Sequence, residues 1–185
     1  MKSGYETAIS MAHDKLLTLD KPEIVLKTGA RLEHGEFLIP WMGEWRAIES
    51  GNDAEKILWL HYLVSNGVKK PTGELISYRE VPSAQFYEPK FIARAVRPVV
   101  KRFGHAPAAL IEAGVKLGGV KAGHGDASVT VPLLPNLPVT YILWGGDEEF
   151  PAEGNILFDK CVTDWFVAED LVVLASLGAY KLVSV

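Results

Sequence analysis

Residues 139–144 read VTYILW, six residues without a charge, and a glycine pair and five carboxylates follow them, Asp147, Glu148, Glu149, Glu153 and Asp159. A run of that length and composition is enough for one buried strand. The stretch 144–159, WGGDEEFPAEGNILFD, therefore sets an acidic turn beside a strand. It marks a candidate site without naming a reaction.

The patterns elsewhere are grouped. Tyr5, Ile9, Ala12, Leu16 and Leu19 recur at helical spacing, which predicts an amphipathic helix over about 4–19 that closes before Pro22, with His13 and Lys15 on its wetter side. From Ile24 to Ile48 short runs are broken by Gly29, Gly35, Pro40 and Gly43, which reads as two or three strands and turns. Asp53 is placed to cap a helix that runs to about Ser65, with His61 on it as a packed histidine whose polar edge meets the backbone. A strand over 74–82, a helix over 89–103 kinked near Arg94 by Pro98, and a helix over 106–117 follow. Residues 128–134 and 139–144 form an expected antiparallel pair turned by Pro135, Asn136 and Pro138. A last helix opens at Glu169–Asp170 and ends at Gly178, before an edge strand over 180–185. Helices and strands come in clusters, which points to an α+β fold: a single domain over 1–185, its mainly antiparallel sheet packed against several helices.

Several function classes are excluded by composition. A chain of 185 residues buries a sizeable core without staples, and its net charge of −4 lacks the concentrated basic face of a nucleic-acid binder. The first residues, MKSGYETAISMAHDKLL, contain no uninterrupted apolar segment of the kind an export signal needs, and no run is long enough to span a membrane. A cytoplasmic protein with no nucleic-acid or membrane partner is expected. Cys161 is the single cysteine, so no intrachain disulfide, cysteine-ligated cluster or multi-thiolate zinc site can form. With acidic neighbours and no adjacent histidine it reads as a buried structural thiol.

The standard catalytic motifs are missing. Gly118 and Gly123 have the spacing of a phosphate loop, but His124 and Gly125 stand where lysine and a hydroxyl residue are required. No G-x-S-x-G elbow occurs. What remains are candidates. Trp144, Asp147, Glu148, Glu149, Asp159 and Arg79 form a candidate ligand-binding set, and His124, Asp126 and Asp147 a candidate oxygen-rich metal set. Trp41 and Trp45 could line a pocket with Trp144. Lys90, Arg94, Arg97 and Lys101, three or four apart, form a basic stripe suited to a carboxylate or phosphate, or simply the wet face of a helix.

LHYL at 60–63, TGELISYREVP at 72–82, LGG at 117–119, the P-x-x-P-x-x-P run from Pro132 to Pro138 and WGGDEEFPAEGNILFD together resemble the family catalogued as domain of unknown function 3786, over nearly the whole chain. The family offers no catalytic residues or cofactor to carry over. The resemblance implies a setting in anaerobic bacteria and archaea, where some members are joined to a cysteine-rich iron–sulfur module, and hence an iron–sulfur protein as partner. One cysteine cannot build that module here. Two functions are expected: a non-catalytic ligand-binding or accessory domain of anaerobic redox metabolism, holding a small molecule or a protein partner, which the absence of a complete catalytic motif favours, or a carboxylate-based, divalent-metal-dependent enzyme using His124, Asp126 and the cluster from Asp147 to Glu149. A third reading makes the acidic turn structural, with Asp147 closing it and Glu148 and Glu149 on backbone amides.

Overall fold

The computed structural model describes residues 5–185, so position 4, where the first helix was expected to begin, lies outside the described residues. Helices α1 (Glu6–Thr18) and α2 (Lys21–Thr28) come first, then strands β1 (Arg31–Glu33), β2 (Glu36–Trp41) and β3 (Glu44–Ala47). The three strands fall within the stretch expected to hold two or three, but its first residues, from Ile24, belong to the second helix. Pro22 lies in its first turn, where a missing N–H costs nothing, and Asp20 accepts from the Glu23 amide at 2.8 Å to cap it. Gly29, left-handed at φ 73°, ends it. Strands β1, β2 and β3 then form a three-stranded antiparallel meander, reversed at His34–Gly35 and Met42–Gly43, two residues with positive φ at each turn.

Helix α3 (Asp53–Val64) is capped by Asn52, one residue earlier than the sequence suggested: the Asn52 side-chain Oδ1 accepts from the amides of Ala54 and Glu55, and the Glu55 carboxylate accepts from the Asn52 amide at 3.0 Å. Leu58, Trp59, Leu60, Tyr62 and Leu63 are all buried, so this helix is apolar nearly all round and runs through the core. Trp59 meets Trp41 edge to face at 5.8 Å, which joins α3 to the small sheet.

The main sheet has five antiparallel strands in the order β4-β8-β7-β6-β5: β4 (Leu75–Ser77), β5 (Val120–Lys121), β6 (Ala127–Leu134), β7 (Leu137–Trp144) and β8 (Glu153–Asp159). The expected β6–β7 pair is present, with Val131 opposite Val139. Strand β8 was not read from the sequence, because ILFD is a short apolar run next to glycine and polar residues. It pairs with β7 from Trp144↔Glu153 to Val139↔Phe158, and the acidic stretch becomes the loop of a hairpin. The strand expected over 74–82 stops at Ser77, and a 3₁₀ turn over Tyr78–Glu80 follows.

Between β4 and β5 run α4 (Glu88–Phe91), a π-helical stretch (Ile92–Val96), α5 (Arg97–Phe103) and α6 (Ala108–Lys116). The first three are one helix with a π-bulge. Pro98 supplies no N–H for the Arg94 carbonyl, which is the reason the ladder is disturbed where the sequence predicts a kink. Helices α7 (Val162–Trp165) and α8 (Ala168–Ser184) close the chain. Gly178 does not end α8, and no strand forms over 180–185, since the helix continues to Ser184. The result is the α+β architecture expected from the sequence, with helices and both sheets sharing one apolar core. Among the described residues no helix is long and apolar enough to cross a membrane.

Candidate functional site

The acidic loop leaves β7 at Trp144 and returns at Glu153. Its conformation follows from Asp147, whose Oδ1 accepts from the amides of Glu149 and Phe150, both at 2.8 Å, while its own amide donates to the Phe150 carbonyl. The amides of Phe150 and Glu149 favour the ionised carboxylate and hold its pKa below the usual range. Gly145 donates its amide to Asp126 Oδ2 at 2.8 Å, which ties the Gly123–Gly125 loop to the same end of the sheet. Glu148, Glu149 and Phe150 stand in solvent, with Trp144 42 % exposed beside them. Asp147 therefore closes the turn, while the side chains of Glu148 and Glu149 bond to no backbone amide.

The candidate set divides in two. Trp144, Asp147, Glu148 and Glu149 share the loop, but Asp159 lies at the far end of β8, six strand steps or about 20 Å from Glu153, and Arg79 lies in the turn that follows β4, the strand on the other side of β8. Asp159 is 3 % exposed; its Oδ2 accepts from Thr72 and Gly73, and its Oδ1 from Cys161 at 3.0 Å. Burial works to raise its pKa, but those amides outweigh burial and leave it below normal. This carboxylate faces backbone rather than a ligand. Arg79 is paired with Glu88 on the surface.

The metal set shares one end of the sheet without forming a cluster of ligands. His124 is exposed and is anchored only through its amide, which donates to Ser128 Oγ at 2.9 Å, and Asp126 and Asp147 each accept from backbone. Among the described residues no three His, Cys, Asp or Glu side chains converge as a metal centre requires. The tryptophans part as well: Trp41 is buried against Trp59, and Trp45 lies under the Arg31 guanidinium at 3.9 Å.

The fold brings together two features that the sequence kept apart. The C-terminal side of the acidic loop, Ala152, Glu153 and Gly154, forms one wall of a groove of about 730 Å³, and Ala93, Arg97, Pro98, Val100 and Lys101 form the other. Gly154 permits this approach, since a Cβ there would stand 2.7 Å from Val100 Cγ2. Arg97 and Lys101, one helical turn apart, are exposed, and among the described residues neither is bonded to a carboxylate. At these two positions the basic stripe borders the groove.

Two polar arrangements were missed because their partners are far apart in the chain. His61 meets a carboxylate rather than backbone: its Nδ1 lies 2.7 Å from Asp170 Oδ1 on α8. Asn136 is 3 % exposed in the β6–β7 turn and bonds to Tyr62, Lys27 and Lys70. Cys161, as expected, is buried; its thiol donates to the Asn136 carbonyl, and burial followed by the Asp159 carboxylate pushes its pKa up to about 12.

The profile of the family described as domain of unknown function (DUF3786) matches residues 20–181, and the chain belongs to that family. No curated protein and no solved structure matches it.

Proposed function

We propose that this DUF3786 chain is a non-catalytic ligand-binding or accessory domain whose ligand is a small anion seated between α5 and the start of β8. The observation that carries this reading is the pair of unpartnered cations, Arg97 and Lys101, in a groove of small-molecule size. Pro98, Val100 and Ala152 give the ligand an apolar surface, while Glu153 at the rim disfavours a large, densely charged anion. A cytoplasmic role in anaerobic redox metabolism, beside an iron–sulfur protein, is the setting that family resemblance supports.

The test is titration calorimetry with inorganic phosphate and with citrate as probes. Saturable binding of either, weakened about tenfold or more by Arg97→Gln with Lys101→Gln, is the expected result. Absence of saturable binding, or equal binding by the double variant, would overturn the proposal. The alternative, a carboxylate-based metal-dependent enzyme, draws on the tie between Asp126 and the acidic loop, which places two of its residues at one end of the sheet. Elemental analysis and an absorption spectrum of anaerobically purified protein, beside the Asp147→Ala, Glu149→Ala variant, separate the two. A stoichiometric metal lost in the variant would put the enzyme first.

A further inference from the structure

A second groove, of about 530 Å³, lies on another side of the molecule, where α1, the end of α3 and the α7–α8 corner meet. Its wall is largely apolar. Trp165 and Phe166 form part of the lining, and Met11 and Val167 are left 68 % and 66 % exposed beside them. Apolar side chains flanking a concave apolar surface are what a bound apolar body would cover.

The polar atoms in this groove decide what else the occupant must carry. Asp170 Oδ1 accepts a hydrogen bond from His61 Nδ1 at 2.7 Å, and Asp164 Oδ2 accepts from the amides of Val68 and Lys69 at 2.8 and 3.1 Å. The hydroxyls donate elsewhere, Ser65 to the Tyr62 carbonyl and Thr163 to the Lys160 carbonyl. Among the described residues, two groups of this groove are left without a partner, Lys15 Nζ and His61 Nε2. The hydrogen bond to Asp170 raises the His61 pKa above its ordinary value against the effect of burial, which favours the imidazolium, with a proton on Nε2 as well. The groove's carboxylates are thus already engaged and its spare groups are cationic donors.

We infer that this groove binds a small apolar monocarboxylate, a fatty or arylalkyl acid, with its carboxylate on Lys15 Nζ and His61 Nε2 and its apolar body against Met11, Trp165 and Phe166. A carboxylate supplies the acceptors both groups lack, and a chain or ring covers the apolar wall. The inference is independent of the Arg97 groove, which lies on different helices.

Octanoate is the probe and 1-octanol its uncharged counterpart, both titrated calorimetrically into the full chain. Octanoate is expected to bind saturably at one site, with octanol about tenfold weaker or worse, and Lys15→Gln is expected to weaken octanoate by about fivefold. Lys15 is exposed on α1, so this variant leaves the fold intact. His61→Gln is expected to weaken octanoate in the same way, and Arg97→Gln with Lys101→Gln to leave it unchanged. The inference is overturned if octanoate does not saturate up to about 10 mM. It is equally overturned if octanol binds as well as octanoate, or if Lys15→Gln binds like the native protein.

Discussion

The Asn136 amide nitrogen donates to the Tyr62 hydroxyl at 3.0 Å, and through this bond the β6–β7 turn is locked to the core helix α3. The same nitrogen donates to the Lys27 carbonyl at the end of α2, Tyr62 donates to the Thr28 carbonyl, and Cys161 Sγ donates to the Asn136 carbonyl. Four segments remote in sequence are joined at one buried residue. Because each bond leaves its partner's polar group dry if broken, Asn136→Leu is expected to cost about 2–4 kcal/mol in urea unfolding. Tyr62→Phe, which removes one hydroxyl but keeps the ring packed on Trp165, is expected to cost about 1–2 kcal/mol. Equal and small losses in both would show the network to be slack.

Cys161 is expected to be inert in the folded protein. Its thiol is buried, engaged with a carbonyl and held protonated near neutrality by burial and by Asp159, so little thiolate exists to react. Labelling with a thiol-specific disulfide reagent at pH 8 is expected to proceed only as the chain unfolds, with a rate that tracks denaturant. Stoichiometric labelling within seconds in native buffer would contradict this burial.

Asp159 and Asp147 belong to one acidic stretch of sequence but differ in what they support. Asp159 satisfies three backbone amides from two segments, and Asp159→Ala strands them in the interior at an expected cost of about 3 kcal/mol. Asp147→Ala removes two turn bonds in open solvent, and its melting temperature is expected to stay within a few degrees of native. Thermal unfolding of the two variants side by side checks the ranking. Equal destabilisation would mean that the acidic loop is a structural element in its own right.

What was legible in the sequence is what is local. Helices α3 and α6 and the β6–β7 hairpin announce themselves through periodicity, caps and turn residues within a dozen positions. Helix α2 was hidden by Pro22, which reads as a stop until Asp20 is seen to cap the turn in which it sits. Strand β8 owes its existence to pairing with β7 on one side and β4 on the other, and its own short pattern does not reveal it. The candidate site follows the same division. The acidic loop, a local feature, was readable as a turn, whereas the inward role of Asp159 depends on Thr72 and Gly73, and the charge of the adjoining groove comes from Arg97 and Lys101 on a distant helix.

The His61–Asp170 pair gives the protein a pH dependence of definite sign. Asp170 and Glu169 from α8 favour the imidazolium, while burial and Lys15 from α1 oppose it, and the net effect is a pKa above 6.5 in the folded state. The folded chain then holds its proton where the unfolded chain has lost it, so the pair's contribution is fully present below pH 6.5 and is lost as pH rises through the higher folded value. Solvent reaches this histidine, which keeps the effect to about 1 kcal/mol or less. The amides around Asp159 and Asp164 act in the other direction, lowering their pKa values, and that stability is lost as pH falls below the 3.8 of the unfolded carboxylate. Urea midpoints measured from pH 5 to 9 are expected to fall on the alkaline side, and Asp170→Asn is expected to flatten that limb alone. An unchanged slope in the variant would assign it to another group.

Gly178 lies inside α8, where alanine would ordinarily be the better residue by about 1 kcal/mol. The reason for glycine is Tyr141, whose hydroxyl donates to the Ala175 carbonyl at 3.0 Å, one turn earlier in the same helix. A Cβ at 178 would overlap that hydroxyl and stand 2.8 Å from Leu133 Cδ1, so β6 and β7 could no longer lie as close to α8. Gly178→Ala is therefore expected to destabilise by about 1–3 kcal/mol despite its helical preference. Tyr141→Phe alone removes a buried donor and leaves the Ala175 carbonyl to its helical bond, at an expected cost of about 1 kcal/mol. Combined, the two substitutions relieve part of the overlap, and the double variant is expected to lose less than the sum of the single ones. Strict additivity in urea unfolding would mean that Leu133, rather than the tyrosine hydroxyl, is what keeps position 178 free of a side chain.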